Sequence, residues 1–390
     1  MTTLTRTQRG SPPMAIWKAA LLTLPIIVPA SIGLMMQLMY GNGETIGIIA
    51  GVLILILFTA FFFMMLLTGK TQRYRSALFI LVALALPFFF IPGMIDAYGT
   101  NMLTDEMTYS GQASFCPLTM PMVLLPALLK GVVIFPGAIA AGGAWFILWV
   151  GASLAIGRGW CSWGCFYGGF DEFFSRLRKK ATIKQVDRKW RFLPFAVLLA
   201  IVLLSALTFH PIYCEWLCPF KVVSEFEAPT TLRTQVSLGI FISLFIGLVI
   251  ALPLLTKKRI QCALFCPFGA MQSFFNKINI FEVRIDPAKC TQCKRCIREC
   301  PTFSLDEGSL ESGKALISCT KCGQCVDACP QGAISYHIKG TPVSVRPQTA
   351  RLLFLYPAYI LFGVLGGNVV TDGLRRILQW ITTGSMIGGI

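Results

Sequence analysis

The amino-acid sequence predicts a membrane all-α fold of about seven transmembrane helices, with a small α+β domain inserted towards its C-terminal end. Three observations predict it. Of the 390 residues 55% are hydrophobic and only 13% are charged, whereas a typical soluble domain carries roughly 25% charged residues. Apolar runs near the ~20 residues a bilayer needs recur at 16–39, 46–68, 77–95, 118–157, 192–213, 236–255 and 351–370. One polar, cysteine-rich segment, 276–345, interrupts them.

The first run, Ile16 to Met39, is too long for a signal-peptide core and has no small-residue cleavage site after it, so it is expected to stay as a span. The fourth contains Pro126, Lys130 and Pro136 and exceeds one simple span. It is either one long helix with an interfacial lead-in or a broken, re-entrant element, and it is counted here as one pass. The sequence leaves the segment beyond Asp372 open; with Arg375, Arg376 and Trp380 it could be a short interfacial helix. The expected organisation is therefore N-terminal helices over 1–157 and helices with a cysteine repeat over 158–275. The inserted domain covers 276–345, and a last helix with its tail covers 346–390.

The formal net charge of +16 would suit a nucleic-acid partner, but its distribution excludes one. Basic residues sit in short clusters between apolar runs, as cytoplasmic loops do. Arg6, Arg9 and Lys18 flank the first run, and Lys70, Arg73 and Arg75 follow the second. Arg176, Arg178, Lys179 and Lys180 follow the fourth, and Lys257, Lys258 and Arg259 the sixth. All fall on one side, which is then cytoplasmic, and the 276–345 domain lands there too. Lys221 with Arg233, and Arg375 with Arg376, break the pattern.

Fourteen of the fifteen cysteines fall into short-spaced sets. Cys290-x2-Cys293-x2-Cys296-x3-Cys300-Pro301 is followed by Cys319-x2-Cys322-x2-Cys325-x3-Cys329-Pro330. This resembles the bacterial ferredoxin run written twice, in which the fourth cysteine ligates the other cluster. The resemblance implies one [4Fe–4S] cluster on Cys290, Cys293, Cys296 and Cys329 and a second on Cys319, Cys322, Cys325 and Cys300. Strand-like stretches at Phe281 to Ile285 and Ala333 to Ile338 bracket the pair, so the inserted domain is expected to be a two-cluster bacterial-type ferredoxin. Structural zinc prefers four ligands in two short pairs, which this register does not offer.

A second repeat is subtler. Cys161-x3-Cys165-Phe166, Cys214-x3-Cys218-Pro219 and Cys262-x3-Cys266-Pro267 share a frame, each with a phenylalanine further on: Phe173, Phe226 and Phe274. Cysteines at i and i+4 share one helix face, so each pair is expected to present two thiols in one direction. Only one span fits between successive copies, so they should alternate sides. Cys161, Cys165, Cys262 and Cys266 would meet near the ferredoxin, and Cys214 and Cys218 would sit outside with Cys116. Two readings of the inner four stay open, a third cluster site or small buried thiols. The outer trio, with His210 nearby, could bind a metal or contain a disulfide.

Absences also inform. Two histidines, His210 and His337, leave no bis-histidine haem inside the membrane. No phosphate-binding glycine loop, dinucleotide fingerprint or catalytic triad is visible, and a hydrocarbon core about 30 Å thick is too wide for a useful single electron hop.

The Cys-x3-Cys-Pro frame beside a duplicated ferredoxin run, between transmembrane helices, resembles the NapH/NosR-type membrane polyferredoxins over roughly Gly157 to Gly340. The resemblance implies a multi-pass protein of the bacterial cytoplasmic (inner) membrane with its ferredoxin on the cytoplasmic side. It also implies iron–sulfur electron transfer between the quinol pool, or a cytoplasmic donor, and a redox partner protein. A different class, a copper-site assembly factor with a redox-active ferredoxin module, rests on the outer cysteines and on fourteen methionines, most of them inside apolar runs.

Overall fold

The computed structural model of the chain describes residues 14–40, 45–98, 102–103, 139–183, 186–208, 212–224, 226–227, 229–341 and 347–387. Its longer helices are α1 (Ile16–Tyr40), α2 (Thr45–Thr68), α3 (Thr71–Tyr98), α4 (Ile139–Ile156) and α5 (Gly168–Leu177). They continue with α6 (Leu193–Thr208), α7 (Leu232–Leu244), α8 (Pro267–Ile278) and α9 (Pro347–Thr383). Among the described residues, five helical stretches are long and apolar enough to cross a membrane: Thr45–Thr68, Thr71–Asp96, Lys189–Thr208, Leu232–Thr256 and Pro347–Thr383. They coincide with five of the seven apolar runs, and the protein is a membrane protein. The 118–157 run is described only from Ile139 onwards, as α4.

α9 is 37 residues long, about 55 Å at 1.5 Å per residue, and it corrects the reading of the tail. The chain beyond Asp372 is not a separate interfacial helix; it continues α9 to Thr383. Its charges are neutralised in place, so the helix has no reason to break. Arg375 Nη2 and Arg376 Nε lie 2.7 Å from the Asp372 carboxylate, and Arg376 Nη1 lies 2.8 Å from Asp96 near the end of α3. Arg233 likewise faces Glu215 at 3.3 Å, so Arg233, Arg375 and Arg376, which broke the charge pattern, are each paired.

α9 is also the spine of the bundle. The Tyr359 hydroxyl donates to the Phe58 carbonyl of α2 at 2.6 Å, and Phe58 stacks on Phe362 at 5.4 Å. Gly366 and Gly373 let α9 approach α3 so closely that added Cβ atoms would meet Val82 Cγ2 at 2.8 Å and the Ala85 carbonyl oxygen at 3.0 Å. Small residues at such contacts are what helix association in lipid depends on.

The polar domain stands on one end of this bundle. β3 (Phe281–Ile285) pairs antiparallel with β4 (Ile334–Ile338), from Phe281↔Ile338 to Ile285↔Ile334. Its underside is seated on α9: Phe354 stacks on Tyr336 at 4.6 Å and meets Phe281 edge-on at 5.5 Å. The basic helix ends lie on the same face, where Lys258 Nζ donates to the Arg298 and Cys300 carbonyls and Arg176 Nη2 to the Gln324 side chain.

Two of the Cys-x3-Cys copies are re-entrant from this face. Before the first copy, the Ile156 carbonyl accepts from Lys321 Nζ of the polar domain; after it, Arg176 reaches Gln324. Between them Gly164 packs on Leu361 and Leu365 of α9, and Gly169 on Phe79 and Ala83 of α3. Those α3 positions lie about 12–18 Å along the helix from Thr71, near the middle of a core about 30 Å thick. The third copy also begins and ends at the domain: Arg259 N–H donates to the Pro301 carbonyl, and the Asn276 side chain donates to the Ile317 and Cys319 carbonyls.

If the α3–α9 contact sets the bundle, Gly366→Leu should lower stability by about 1–3 kcal/mol through overpacking. A depressed thermal-aggregation midpoint of the detergent-solubilised protein is the expected readout, and an unchanged midpoint would show that the two helices can separate without loss.

Candidate metal centre

The domain's two cysteine motifs are built in one register. Residues two and four places after the first cysteine of each, Gln292 and Lys294, Lys321 and Gly323, all hold positive φ, 53°, 55°, 50° and 85°. Three are not glycine, a strained choice kept where the surrounding structure demands it. It winds each loop around one point. Gly323 is required in its place, because a Cβ there would sit 2.8 Å from the Tyr336 hydroxyl. Cys300 and Cys329 end the short helices Arg295–Glu299 and Gln324–Ala328 with ψ of 116° and 117°, the extended geometry a following proline imposes. Their sulfurs accept equivalent bonds from Ser304 N–H and Ala333 N–H, each at 3.3 Å.

The thiols fall into two groups, each taking one member from the other motif. Cys290, Cys293, Cys296 and Cys329 line one open hollow. Burial pushes the Cys296 thiol up to about 11, with Cys329, Cys290 and Cys293 adding to the rise. Cys319 is raised to about 12 by burial, Cys300 and Cys322 contributing, and burial also raises Cys325, with Cys319, Cys322 and Cys300 adding to the rise. Cys293 is exposed while Cys322 and Cys325 are buried, so the first motif faces outward and the second faces the helices.

Under the second motif lies a third group of thiols. Cys161, Cys165, Cys262 and Cys266 are close enough to act on one another electrostatically: Cys165 responds to Cys161 and Cys266, and Cys262 to Cys266 and Cys165. The backbone around them differs from the expected shared helix face. Cys161 belongs to the helical turn Trp160–Trp163 and Cys262 to the π-helical turn Gln261–Phe265, and each turn ends before its second cysteine. The N–H of Cys165 and of Cys266 instead closes a five-residue ring onto the Trp160 and Gln261 carbonyls, each at 2.9 Å. Pro267 cannot follow a helical residue comfortably, so Cys266 is extended with ψ of 115°.

The two loops interlock. Arg158, three residues before Cys161, donates to the Cys262 carbonyl at 2.9 Å and to Ser273 Oγ at 2.8 Å. Arg259, three before Cys262, donates to the Cys161 carbonyl and to Ser162 Oγ, both at 2.8 Å. Each guanidinium occupies space kept open by a glycine: a Cβ on Gly168 would lie 2.5 Å from Arg259 Nη2, and one on Gly269 3.1 Å from Arg158 Nη2. These residues were not singled out for this role in the sequence. The repeat frame carries the signal, since arginine at −3 and glycine at +7 from the first cysteine recur in the first and third copies only.

Below them runs a buried ionic network. Glu172 lies 3.0 Å from Arg75, 2.8 Å from Arg176 and 3.7 Å from Arg259. Burial works against its charged form, yet the three guanidiniums hold it well below the usual carboxylate range. Arg75 also donates to the Cys322 and Ser162 carbonyls, at 3.2 and 2.8 Å, tying the second motif to the first re-entrant loop. Asp171 accepts from Cys262 N–H at 2.9 Å, and burial pushes its carboxyl up to about 7. Lys321, in the second motif, bonds Ile156 and Asn276; burial brings its ammonium down to about 7.

Two buried arginine donors bear on what the site could hold. Arg158 Nε and Arg259 Nε are buried without hydrogen-bond partners among the described residues, and both guanidiniums act on Cys161. Four thiols with two cations fit an anionic iron–sulfur cluster. Among the described residues no group of three or more His, Cys, Asp or Glu side chains is placed to hold a single metal ion.

Of the outer residues, Cys116 and His210 lie outside the described residues. Cys218 is buried and Cys214 half-buried, and both join the core that holds Cys161 and Cys165. The second copy therefore reaches inward, although α6 carries the chain away from the domain before it.

Comparison with known proteins agrees with this geometry. A 4Fe-4S binding domain model matches residues 139–184, 190–228 and 238–285, one copy of the Cys-x3-Cys frame in each. A 4Fe-4S dicluster domain model matches 282–330. The ferredoxin-type protein NapH of Escherichia coli K12 is 28% identical over 217 residues, covering 55% of this chain and 71% of that one. The regulatory protein NosR of Pseudomonas aeruginosa PAO1 is 27% identical over 246 residues, 57% of this chain and 32% of that one. The methylamine utilization ferredoxin-type protein MauN of Methylobacillus flagellatus is 26% identical over 190 residues, 47% and 62%. The chain thus spans most of NapH but about a third of NosR. No solved structure matches.

Fold and site define a membrane-bound iron–sulfur electron-transfer protein with several [4Fe–4S] clusters. Within that class the chain is similar to the ferredoxin-type proteins NapH and NosR.

Because each arginine secures the loop that carries the other, Arg158→Met and Arg259→Met should each cost about 1.5–3 kcal/mol, the range for hydrogen bonds to a charged group. A double-mutant cycle on thermal midpoints should show a coupling of about 0.5 kcal/mol or more. Strict additivity would mean the loops are held independently.

Proposed function

We propose that the protein is the quinol-linked electron-transfer subunit of a redox system, with three clusters in series. Cys290, Cys293, Cys296 and Cys329 hold the outermost, Cys319, Cys322, Cys325 and Cys300 the middle one, and Cys161, Cys165, Cys262 and Cys266 a third inside the membrane face. The observation that carries this reading is the interlocked pair of loops beneath the second motif, with its four buried thiols and two partly unpartnered arginines. A cluster there stands next to lipid, where a quinol arrives. The bound clusters supply one-electron chemistry; the chain's residues hold them, bring cations to them and keep water out.

Several further points belong to the same reading. α1 and α4 complete the set of seven spans, and the segments 1–157, 158–275, 276–345 and 346–390 are the working divisions of the chain. The face bearing the basic helix ends is cytoplasmic by charge bias, which places the ferredoxin domain in a reducing compartment. Its outer motif meets the soluble redox partner. Lys289, Lys294, Arg295 and Arg298 surround it, and Cys293 is exposed, a surface suited to an acidic donor or acceptor.

Anaerobic purification with iron and acid-labile sulfide determination tests the cluster count. About twelve of each per chain are expected, four per cubane, and Cys161→Ser with Cys262→Ser should bring both to about eight. A native value of about eight would remove the third cluster. Addition of a quinol analogue to membranes should reduce the clusters spectroscopically, and an unchanged spectrum would remove the quinol link.

A further inference from the structure

The second Cys-x3-Cys copy keeps the frame of the other two without their supports. Where they carry Arg158 and Arg259 it has Pro211, and where they carry Gly168 and Gly269 it has Lys221. It also enters from the opposite end of the bundle. α6 starts beside the polar domain, where Arg191 pairs with Asp306 at 2.9 Å and Phe195 meets Phe274. Its 16 residues then run about 24 Å away. After the copy, β2 (Phe226–Glu227) pairs with β1 (Met102–Leu103), beyond the far end of α3.

Between these two far-side anchors the chain turns inward. The Tyr213 hydroxyl accepts from Gln261 Nε2 at 3.2 Å, beside Cys262. Phe220 stacks on Tyr167 with centroids 4.7 Å apart and planes 25° apart. Tyr167 lies just past Cys165 in the first re-entrant loop, and Phe220 just past Cys218 in the second copy. Phe170 and Phe245 complete the cluster around Phe220 at 6.3 and 6.4 Å. The neighbouring Gly169 lies against Phe79 and Ala83, so the stack sits near mid-depth. Hairpins from the two faces therefore meet there through aromatic rings, each ring adjacent to a cysteine pair.

We propose that Tyr167 and Phe220 form an electron bridge that joins the inner four-cysteine site to the Cys214–Cys218 copy, and so to the far membrane face. Two hairpins in van der Waals contact give a packed through-protein path across part of a barrier of about 30 Å. One electron leaves a reduced centre, which passes from [4Fe–4S]+ to [4Fe–4S]2+, and one electron reduces a one-electron acceptor at the far face. No bond to either ring forms or breaks. The proposal rests on the electron-transfer reading above and adds a direction to it.

The test uses the full chain in proteoliposomes with ferricyanide trapped inside and dithionite outside, each unable to cross lipid. Native protein should reduce the trapped ferricyanide to ferrocyanide faster than empty vesicles. Phe220→Leu and Tyr167→Leu should lose most of that rate while iron, sulfide and the reduction of the clusters by dithionite stay native, and Tyr167→Phe, which keeps the ring, should retain it. A contact readout independent of loading is p-benzoylphenylalanine in place of Phe220, which should crosslink to the peptide containing Tyr167. Absence of transmembrane reduction, native rates in both leucine variants, or crosslinks confined to residues outside the first re-entrant loop would overturn the bridge. A native count of about eight irons with ring-dependent transfer intact supports it and removes only the third cluster. About twelve irons without transfer sinks the bridge and leaves that cluster standing.

Discussion

Glu172 is the point on which the junction between the polar domain and the membrane helices depends. It is 1% exposed and shared by Arg75, Arg176 and Arg259, while Gln72 and Ser76 donate to the same carboxylate oxygen at 3.1 and 2.9 Å. Each of those groups belongs to a different task. Arg75 bonds the second cluster motif, Arg259 the first re-entrant loop, and Arg176 the surface of the domain through Gln324. A buried ion network is weak evidence of stability, since desolvation consumes much of its attraction. What it contributes here is placement, because three guanidiniums from three different segments meet at one carboxylate.

The same constraint explains why the three copies of one sequence frame do different things. Copies one and three descend from a common face and exchange arginines, so each loop is complete only in the presence of the other. The glycines at equivalent positions are the steric condition for that exchange. A proline and a lysine at those positions in copy two make it unable to join the exchange. It reaches its partners through rings, with Tyr213 meeting Gln261 and Phe220 meeting Tyr167.

The parts legible in the sequence are those where covalent chemistry leaves little freedom. Two cysteine runs each closed by a proline demand tight loops, and the bracketing Phe281–Ile285 and Ile334–Ile338 stretches do pair as strands. Five apolar runs became helices long enough to cross a membrane. The re-entrant loops were harder to see because hydropathy counts apolar residues without regard to which face the chain returns to. Spacing at i and i+4 suggests a helix face, but Pro267 and the five-residue rings at Cys165 and Cys266 override it. Arg259 was hidden among residues that read as topological charge, together with Lys257 and Lys258, although its side chain points into the protein and is fully buried. The tail misled for a related reason: Arg375 and Arg376 look like a membrane boundary until Asp372 and Asp96 are seen to neutralise them.

Charge balance gives the proposed third site its internal logic. A [4Fe–4S] core in its oxidised state with four thiolates is doubly negative, and a centre of that charge is costly in a low-dielectric setting unless cations accompany it. Arg158 and Arg259 are two such cations, each with an Nε donor otherwise unsatisfied among the described residues. Arg259 Nη2 donates to the Cys262 sulfur at 3.3 Å, so cationic charge stands at the thiols themselves. Loading exchanges thiol protons for the metal centre and brings the interior closer to neutrality. In this reading the arginines serve twice. Through their backbone bonds they hold the two loops in register, and through their charge they make an anionic cluster, rather than four neutral thiols, the more stable content of the space between them.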